Sequence, residues 1–443
     1  RDMIYRASTS TFAGSQTYLF KHTVLREVAY ESVLLRDRPG YHLQAARWLE
    51  TRSGEWAVEY SALIAQHHEL AGRPAEAARL YEQAAARAGE QFKLGSAIDY
   101  YRKVLELVRP LPQYLDTRLR VEERQGHMLV QRGRLVEALA AYRSMHYAAA
   151  LDGNLLAQAR ALIAQAALYL EWGDGARARG AAAQAEQLAR LTGAEMESVR
   201  ALLLQGEAAG RLERWAEAAD SLGQGIERAR ALDAPREVAR GLAMLAHVHA
   251  QHGDAAAAAS AAAELVAFIE QLAQRENPDE AEARVRLARL LLQSGHHVEA
   301  QSHLTRALRL QRAAGRPSAE AETLRLLGLA VCRMGDGAAA MDYLEESAAQ
   351  AEATGDRYLR LRCRLAIGEA LLANGQYPAA EATLRQVIAA AEDRQRFEDW
   401  VELSHAYGLL VEVLRRQGRR DEAELIRQRR DKDDTFENIS AHI

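Results

Sequence analysis

Four arginines recur at one position of a repeating pattern, and their side chains could bind acidic groups. They are separated by intervals of 40 residues. A guanidinium presents N–H donors in a planar fork that matches carboxylate and phosphate oxygens. A row of them suits an acidic ligand, although the row could instead be structural, each arginine pairing with a nearby carboxylate. The arginine row consists of Arg120, Arg160, Arg200 and Arg240. Further along, the same position holds Glu282, Glu322, Arg362 and His405.

Three other polar side chains follow members of this row by seven residues. Seven residues make two turns of an α-helix, so both positions share a helix face. We therefore expect these residues to line the same surface as the arginines, where histidine would add a pH-dependent contact. They are His127, Glu207 and His247.

Motifs for catalysis are absent from the sequence. It contains no GxxxxGK[ST] loop to cradle phosphates and no GxSxG turn for a nucleophilic serine. His247, His249 and His252 fall near one turn, and His296 and His297 near the next, but no cysteine or carboxylate pair completes a familiar zinc set. We expect no metal, no cofactor and no enzymatic activity in this chain.

A turn followed by an alanine recurs along the chain and contains the arginine row. Apolar residues at helical spacing, such as Leu327 and Val331, stop at Gly335, and Leu344 belongs to the stripe that resumes after it. Each unit therefore predicts two helices joined by a tight turn. The alanine five residues after the turn is small enough to let the two helices approach closely. These alanines are Ala138, Ala178, Ala218, Ala258, Ala300, Ala340, Ala380 and Ala423.

The first helix of a unit carries a small residue, such as Gly206 or Gly328. In the second helix, the recurring alanine is followed four residues later by a larger residue, such as Leu344. Over about residues 57–431 this pattern resembles the tetratricopeptide repeat, with a period of 40 rather than about 34 residues. The resemblance implies an all-α fold, a right-handed α-solenoid of about nine or ten helix pairs. It also implies that the arginine row faces the concave groove, where partners bind.

The first forty residues do not follow the repeat. DMIYR and QTYLFKH alternate apolar and polar residues, which predicts two short strands leading into a helix, as at the end of a winged helix. The chain also resembles the segment that joins the ATPase core to the repeats in bacterial multidomain signalling ATPases. This resemblance covers about residues 3–108 and is carried by residues 12–50 and 59–85. That resemblance implies an upstream ATPase and an output domain, such as an adenylate or guanylate cyclase or a protein kinase.

These patterns divide the chain into four parts. We predict a partial winged-helix-like segment over 1–40, atypical helical hairpins over 41–115, tetratricopeptide-like repeats over 116–431 and a polar tail over 432–443. Because the chain starts without methionine and the winged helix looks incomplete, we expect it to be the C-terminal part of a longer protein.

The composition of the chain limits the classes of partner and the compartment that we expect. Lys+Arg 57 against Asp+Glu 61 gives a net charge of −4, without the basic excess typical of nucleic-acid binding. No run of about 18 apolar residues predicts a membrane span. Two cysteines point to a reducing compartment rather than a disulfide framework. We therefore expect a cytoplasmic chain without nucleic-acid or membrane partners.

These expectations favour a sensor that binds a protein partner or small effector in the concave groove and controls upstream domains of the same polypeptide. A passive interaction scaffold is the first alternative. A transcription activator of the maltose-regulator type, which has similar long repeats, is the second. The latter is weakened because no helix-turn-helix pattern follows the repeats.

Overall fold

The computed structural model describes residues 3–7, 15–53, 60–91, 93–392 and 400–433. This part of the chain contains 21 α-helices and one two-stranded sheet, so the predicted all-α class is confirmed. The chain forms two compact units, residues 1–128 and 129–443. The four predicted segment boundaries stay predictions.

The first unit begins with a β-hairpin and continues as helices. Strand β1 (Ile4–Arg6) pairs antiparallel with β2 (Tyr18–Phe20), where alternation predicted strands. Residues 8–14 between them lie outside the described residues. The helices are α1 (Thr23–Glu31), α2 (Arg38–Ser53), α3 (Ser61–Leu70), α4 (Pro74–Glu90), α5 (Leu94–Val108) and α6 (Leu115–Gln131), with a 3₁₀ turn at Pro112–Tyr114. The boundary between the units falls within α6.

The second unit is a succession of antiparallel helix pairs. Its first helices are α8 (Leu155–Glu171), α10 (Glu195–Arg211), α12 (Pro235–His252), α14 (Glu280–Gln293), α16 (Pro317–Arg333), α18 (Arg357–Ala373) and α20 (Trp400–Arg416). Its second helices are α7 (Leu135–Asp152), α9 (Gly175–Thr192), α11 (Trp215–Ala231), α13 (Ala255–Gln274), α15 (His297–Ala313), α17 (Gly337–Ala353), α19 (Tyr377–Glu392) and α21 (Arg420–Asp433).

The turns inside three pairs, α8–α9, α12–α13 and α16–α17, follow one design, which α8 and α9 illustrate. Gly173 adopts φ 76°, a left-handed conformation that side chains rarely enter. The Asp174 side chain then accepts a hydrogen bond from the Arg177 backbone N–H and caps α9. Ala178 is fully buried, as are Ala340 and most of the other recurring alanines. The exception is Ala258, which is partly exposed.

Small residues in the first helix pack against the large residue of the second. A Cβ atom at Gly206 would lie 2.6 Å from Cγ of Leu222, and one at Gly328 would lie 2.5 Å from Cγ of Leu344. Because carbon atoms pack at about 3.5–4 Å, no side chain fits at either glycine without displacing the leucine. This close approach is the physical basis of the small-and-large pattern in the sequence.

Successive first helices contact one another on one side of the second unit, and we call that side the inner face. Helix α10 contacts α8 and α12, and α18 contacts α16 and α20. The contact between α14 and α16 is less extensive. The preceding second helix, α13, has 20 residues, whereas α11 and α15 have 17. The regular stacking is therefore interrupted at α13 and α14.

Helix α13 is also the one helix of the described residues that is long and apolar enough to cross a membrane by length and composition. Its apolar character comes largely from alanine. Leu265, Ile269 and Leu272 on its inner side are buried in a core cluster of the second unit.

Candidate ligand-binding groove

Two arginines of the row form ion pairs along the inner face. Nε of Arg160 on α8 lies 2.9 Å from Oε1 of Glu197 on α10. Nε of Arg200 on α10 lies 3.4 Å from Oε1 of Glu237 on α12. The two guanidinium side chains remain 45% and 47% exposed, and exposed pairs contribute only about 0–1 kcal/mol. These ion pairs have the structural role considered for the row, and they leave both arginines accessible.

The first unit holds the earliest member of the row. Both ends of the Arg120 guanidinium bond to Glu82, at 3.0 and 3.1 Å. This hydrogen bond to Glu82 raises the pKa of Arg120, against a smaller opposing effect of burial. His127 lies exposed on the same helix, α6.

The fourth arginine pairs differently. Arg240 on α12 reaches back to Glu207 on α10, with 3.9 Å between Nη2 and Oε2. Glu207 also contacts Arg211 of its own helix at 3.2 Å. Arg160 and Arg200 each pair with a glutamate of the following first helix. This pattern ends at Arg240, where the repeat becomes longer.

A cavity of about 520 Å³ opens at this point between α10, α12 and α14. We call it the guanidinium cavity. Met244, Val248 and Leu290 contribute apolar wall. Its charged and histidine lining consists of Glu207, Arg211, Arg240, His247, Arg286 and Arg289. The structure thus brings together Glu207, Arg240 and His247 of the predicted residues.

The cavity concentrates positive charge in a partly desolvated place. Burial lowers the pKa of Arg286; Glu282 opposes this shift, and the neighbouring Arg240 and Arg236 add to it. Burial likewise lowers the pKa of Arg289. The Nε atom of Arg286 is buried and has no hydrogen-bond partner. A bound anion would satisfy that donor and relieve the repulsion among the arginines.

Further along the inner face, Glu282 and Glu322 occupy the position of the row's arginines. Each of them pairs with an arginine of the preceding first helix. Glu282 pairs with Arg236 at 3.0 Å. Glu322 on α16 accepts from Arg289 on α14 at 2.9 Å and from Arg325 at 2.8 Å, and lies 3.4 Å from Arg362 on α18. One carboxylate therefore links three consecutive first helices.

Sequence reasoning missed Arg211, Arg286 and Arg289. A signal existed for Arg289, which follows Glu282 by seven residues, as His247 follows Arg240. The other two arginines lie off that spacing, and only packing brings them to the cavity. Among the described residues, no group of three histidine, cysteine or carboxylate side chains could hold a metal ion.

The tetratricopeptide repeat family model matches residues 319–393, which span α16 to α19. This segment includes Gly328, Ala340 and Leu344, the residues that carried the resemblance. No curated protein matches the chain in sequence.

Solved structures that match this chain include the following three. The signal transduction ATPase with numerous domains and a tetratricopeptide repeat sensor from Pyrococcus horikoshii is 14% identical, with 96% of this chain and 57% of that chain covered and a TM-score of 0.43. The apo quorum sensor NprR from B. thuringiensis is 12% identical, covering 80% and 97%, with a TM-score of 0.45. BtubC from P. vanneervenii is 17% identical, covering 51% and 92%, with a TM-score of 0.43.

Proposed function

We propose that this chain is a regulatory sensor whose guanidinium cavity binds an acidic group of a protein partner or small effector. One observation carries the proposal: four arginines line a cavity whose lining includes a single carboxylate, Glu207, and Nε of Arg286 is buried without a partner. Arg211 and Arg240 contact Glu207, whereas Arg286 and Arg289 pair with Glu282 and Glu322 outside that lining. A carboxylate or phosphate entering the cavity would accept hydrogen bonds from several guanidiniums at once. His247 at the wall would add a contact that strengthens when its ring is protonated.

The rest of the row extends the proposal to longer ligands. Arg200 lies on α10, which also lines the cavity, and Arg160 lies on α8, the preceding first helix; their ion pairs leave them almost half exposed. An acidic protein segment anchored in the cavity would continue past Arg200 towards Arg160. Arg120 and His127, in the first unit, stay in the proposal as predicted contacts.

The regulatory part of the proposal concerns domains of the same polypeptide. The resemblance of about residues 3–108 to the linker region of signalling ATPases supports an upstream nucleotide switch and an output domain that respond to the bound ligand. In this role the chain itself performs no catalysis and needs no cofactor. It acts in the cytoplasm without nucleic-acid or membrane partners.

Two acidic probes of different length test the cavity and the row separately. Citrate fits the cavity alone, and a hexaglutamate peptide also reaches the row. The variant Arg211→Gln with Arg240→Gln is expected to weaken both by about a hundredfold or more, since each charge-assisted contact contributes about 1.5–3 kcal/mol. Arg160→Ala with Arg200→Ala is expected to weaken only hexaglutamate. Isothermal titration calorimetry at low salt measures both affinities.

The matched control removes two arginines from elsewhere in the second unit. Arg385 and Arg416 each pair with a glutamate four residues earlier in their own helix. Replacing both with glutamine should leave the two affinities unchanged. Equal citrate affinity in the wild type and the Arg211/Arg240 variant would contradict the proposal. Probe binding that never alters the output of the full-length protein would favour a passive scaffold.

A further inference from the structure

A second cavity, of about 510 Å³, lies in the second unit and shares no lining residue with the guanidinium cavity. We call it the wedge cavity. It opens between the turn that joins α13 to α14 and the turn that joins α15 to α16. Pro278, Val285 and Leu310 form apolar wall, and Gln311 and Thr323 also line it. This size and this mixture of walls are typical of small-molecule sites.

The irregular repeat explains why the wedge cavity exists. Helix α13 has 20 residues and α14 only 14, and α14 and α16 contact each other less than neighbouring first helices do. The turn after α13 also lacks a glycine. Glu276 takes a left-handed φ of 49°, as Asp233 does at 48° after α11, whereas glycine occupies the turns after α15 and α17. A non-glycine residue in this conformation stores strain.

Two polar residues occupy core positions at this cavity. Gln311 follows its turn glycine by 16 residues, and Thr323 precedes the next by 12. The other repeats carry small or apolar residues at both positions. The counterparts of Gln311 are Ala149, Ala189, Ala229, Ile269 and Ala351, and those of Thr323 are Val121, Ala161, Ala201, Gly241, Ala283 and Cys363.

Neither polar group has a partner within the protein. Gln311 is 6% exposed and Thr323 is fully buried, and Oε1 of Gln311 and Oγ1 of Thr323 make no hydrogen bond. Ser347, a buried hydroxyl nearby in the chain, behaves ordinarily, because its Oγ donates to the Ala321 carbonyl at 2.6 Å. Buried polar groups in proteins are normally hydrogen-bonded, so two orphans at one cavity indicate that a ligand completes them.

The less exposed carboxylates of the cavity are already paired within the protein, and the two remaining charged lining residues, Glu276 and Arg316, are exposed to solvent. Glu280 accepts from Arg284 at 2.7 Å and from Arg306 at 3.3 Å. Glu322 is held by its own arginines. The buried groups that lack a hydrogen-bond partner are therefore neutral. The Gln311 carbonyl oxygen needs a donor, and the Thr323 hydroxyl needs a partner.

We propose that the wedge cavity binds a neutral amide carried on an aliphatic body, as a second effector site. The amide N–H donates to Oε1 of Gln311, and the amide carbonyl accepts from the Thr323 hydroxyl. The aliphatic part covers Val285 and Leu310. The other repeats carry small or apolar residues at these positions. The two unpartnered polar groups therefore reduce the stability of the empty protein, and ligand binding offsets that loss.

The stability of the empty protein gives the first test. Gln311→Ala with Thr323→Ala restores the residue type of the other repeats and removes both unpaired groups. Its Tm is expected to rise by about 2–4 °C. The control Ser347→Ala deletes a buried hydroxyl that is bonded and is expected to lower the Tm. A lower Tm for the Gln311/Thr323 variant would overturn the proposal.

Binding of a series of primary amides, from butanamide to hexanamide, gives the second test by calorimetry. Affinity is expected to rise about fourfold with each methylene, from the added apolar burial. The Gln311→Ala/Thr323→Ala variant should bind hexanamide at least about tenfold more weakly, and Thr323→Ser, which keeps the hydroxyl, should retain affinity. N-acetyl-leucinamide, measured alongside, distinguishes a peptide source of the amide from a simple aliphatic one.

Two results would overturn the wedge-cavity proposal. One is equal hexanamide affinity in the wild type and the Gln311→Ala/Thr323→Ala variant. The other is the absence of binding by every amide up to its solubility limit. The same variant should still bind citrate normally, so failure here is distinguishable from failure of the guanidinium cavity.

Discussion

Among single residues, Glu322 holds the most concentrated charge arrangement of the inner face. Its side chain is 17% exposed and contacts arginines from α14, α16 and α18. Burial by itself would raise its pKa, but Arg325, Arg362 and Arg289 lower it to about 2. The carboxylate therefore stays ionised and stabilises three neighbouring helices at once.

This shift predicts a loss of stability in acid. Because the pKa of Glu322 is lower in the folded state than its ordinary 4.5, its stabilising effect is complete above that pH and disappears as the pH falls towards 2. The loss amounts to about 3 kcal/mol. Chemical denaturation of the wild type and of Glu322→Gln at pH 7 and pH 3 measures it.

The Glu322→Gln variant should be less stable at pH 7 and should lose less on acidification. The exposed pair of Glu352 and Arg360 provides the control, since Glu352→Gln removes a carboxylate that is accessible to solvent. Its pH dependence should follow the wild type. A wild-type pH dependence in Glu322→Gln would show that the arginine contacts do not control the acid response.

For the helices, the deciding feature is the distance between the two members of a pair. Gly206 and Gly328 allow a leucine of the partner helix to sit against the backbone. Glycine normally destabilises a helix interior by about 0.5–1 kcal/mol relative to alanine. Packing reverses that preference where the partner helix leaves no room for a Cβ atom.

Two helical glycines therefore predict opposite effects of the same substitution. Gly206→Ala should destabilise the protein by about 1–3 kcal/mol, because the new Cβ would overlap buried Leu222. Gly180→Ala should stabilise it slightly, because nothing lies within 4 Å of a Cβ there. Thermal melts of both variants compare them directly. Stabilisation by Gly206→Ala would contradict the close-packing account of the repeat.

The whole second unit depends on contacts between neighbouring pairs. Each helix packs mainly against the helices next to it in the chain and against the nearest first helices. In such an array, stability is approximately a sum of pair and nearest-neighbour contributions. Damage in one pair should therefore spread only to its neighbours.

Ala340→Phe tests this. Ala340 on α17 is fully buried, so a phenylalanine would overpack the crossing with α16 by about 1–3 kcal/mol or more. Hydrogen exchange should accelerate in α15 to α18 and remain at wild-type rates in α8 to α10. Ala259→Phe, at an exposed alanine of α13, is the control and should leave exchange unchanged. Uniform acceleration along the unit would contradict nearest-neighbour stability.

The sequence by itself determined the repeating pair and which residues share a helix face. Gly335 and Ala340 mark a turn and a crossing because left-handed backbone and close helix packing each admit few residue types. The seven-residue interval from Arg240 to His247 placed both on one surface because helix geometry is local. All of these relations depend on residues close together in the chain.

Tertiary structure decided which charges meet and where the cavities open. Arg240 pairs with Glu207 of the preceding first helix, whereas Arg200 pairs with Glu237 of the following first helix. Arg286 reaches the guanidinium cavity, and Gln311 is left without a partner. These outcomes follow from the separation between neighbouring helix pairs around α13 and α14. That separation results from the packing of many side chains distant in sequence, so no local spacing in the chain could specify it.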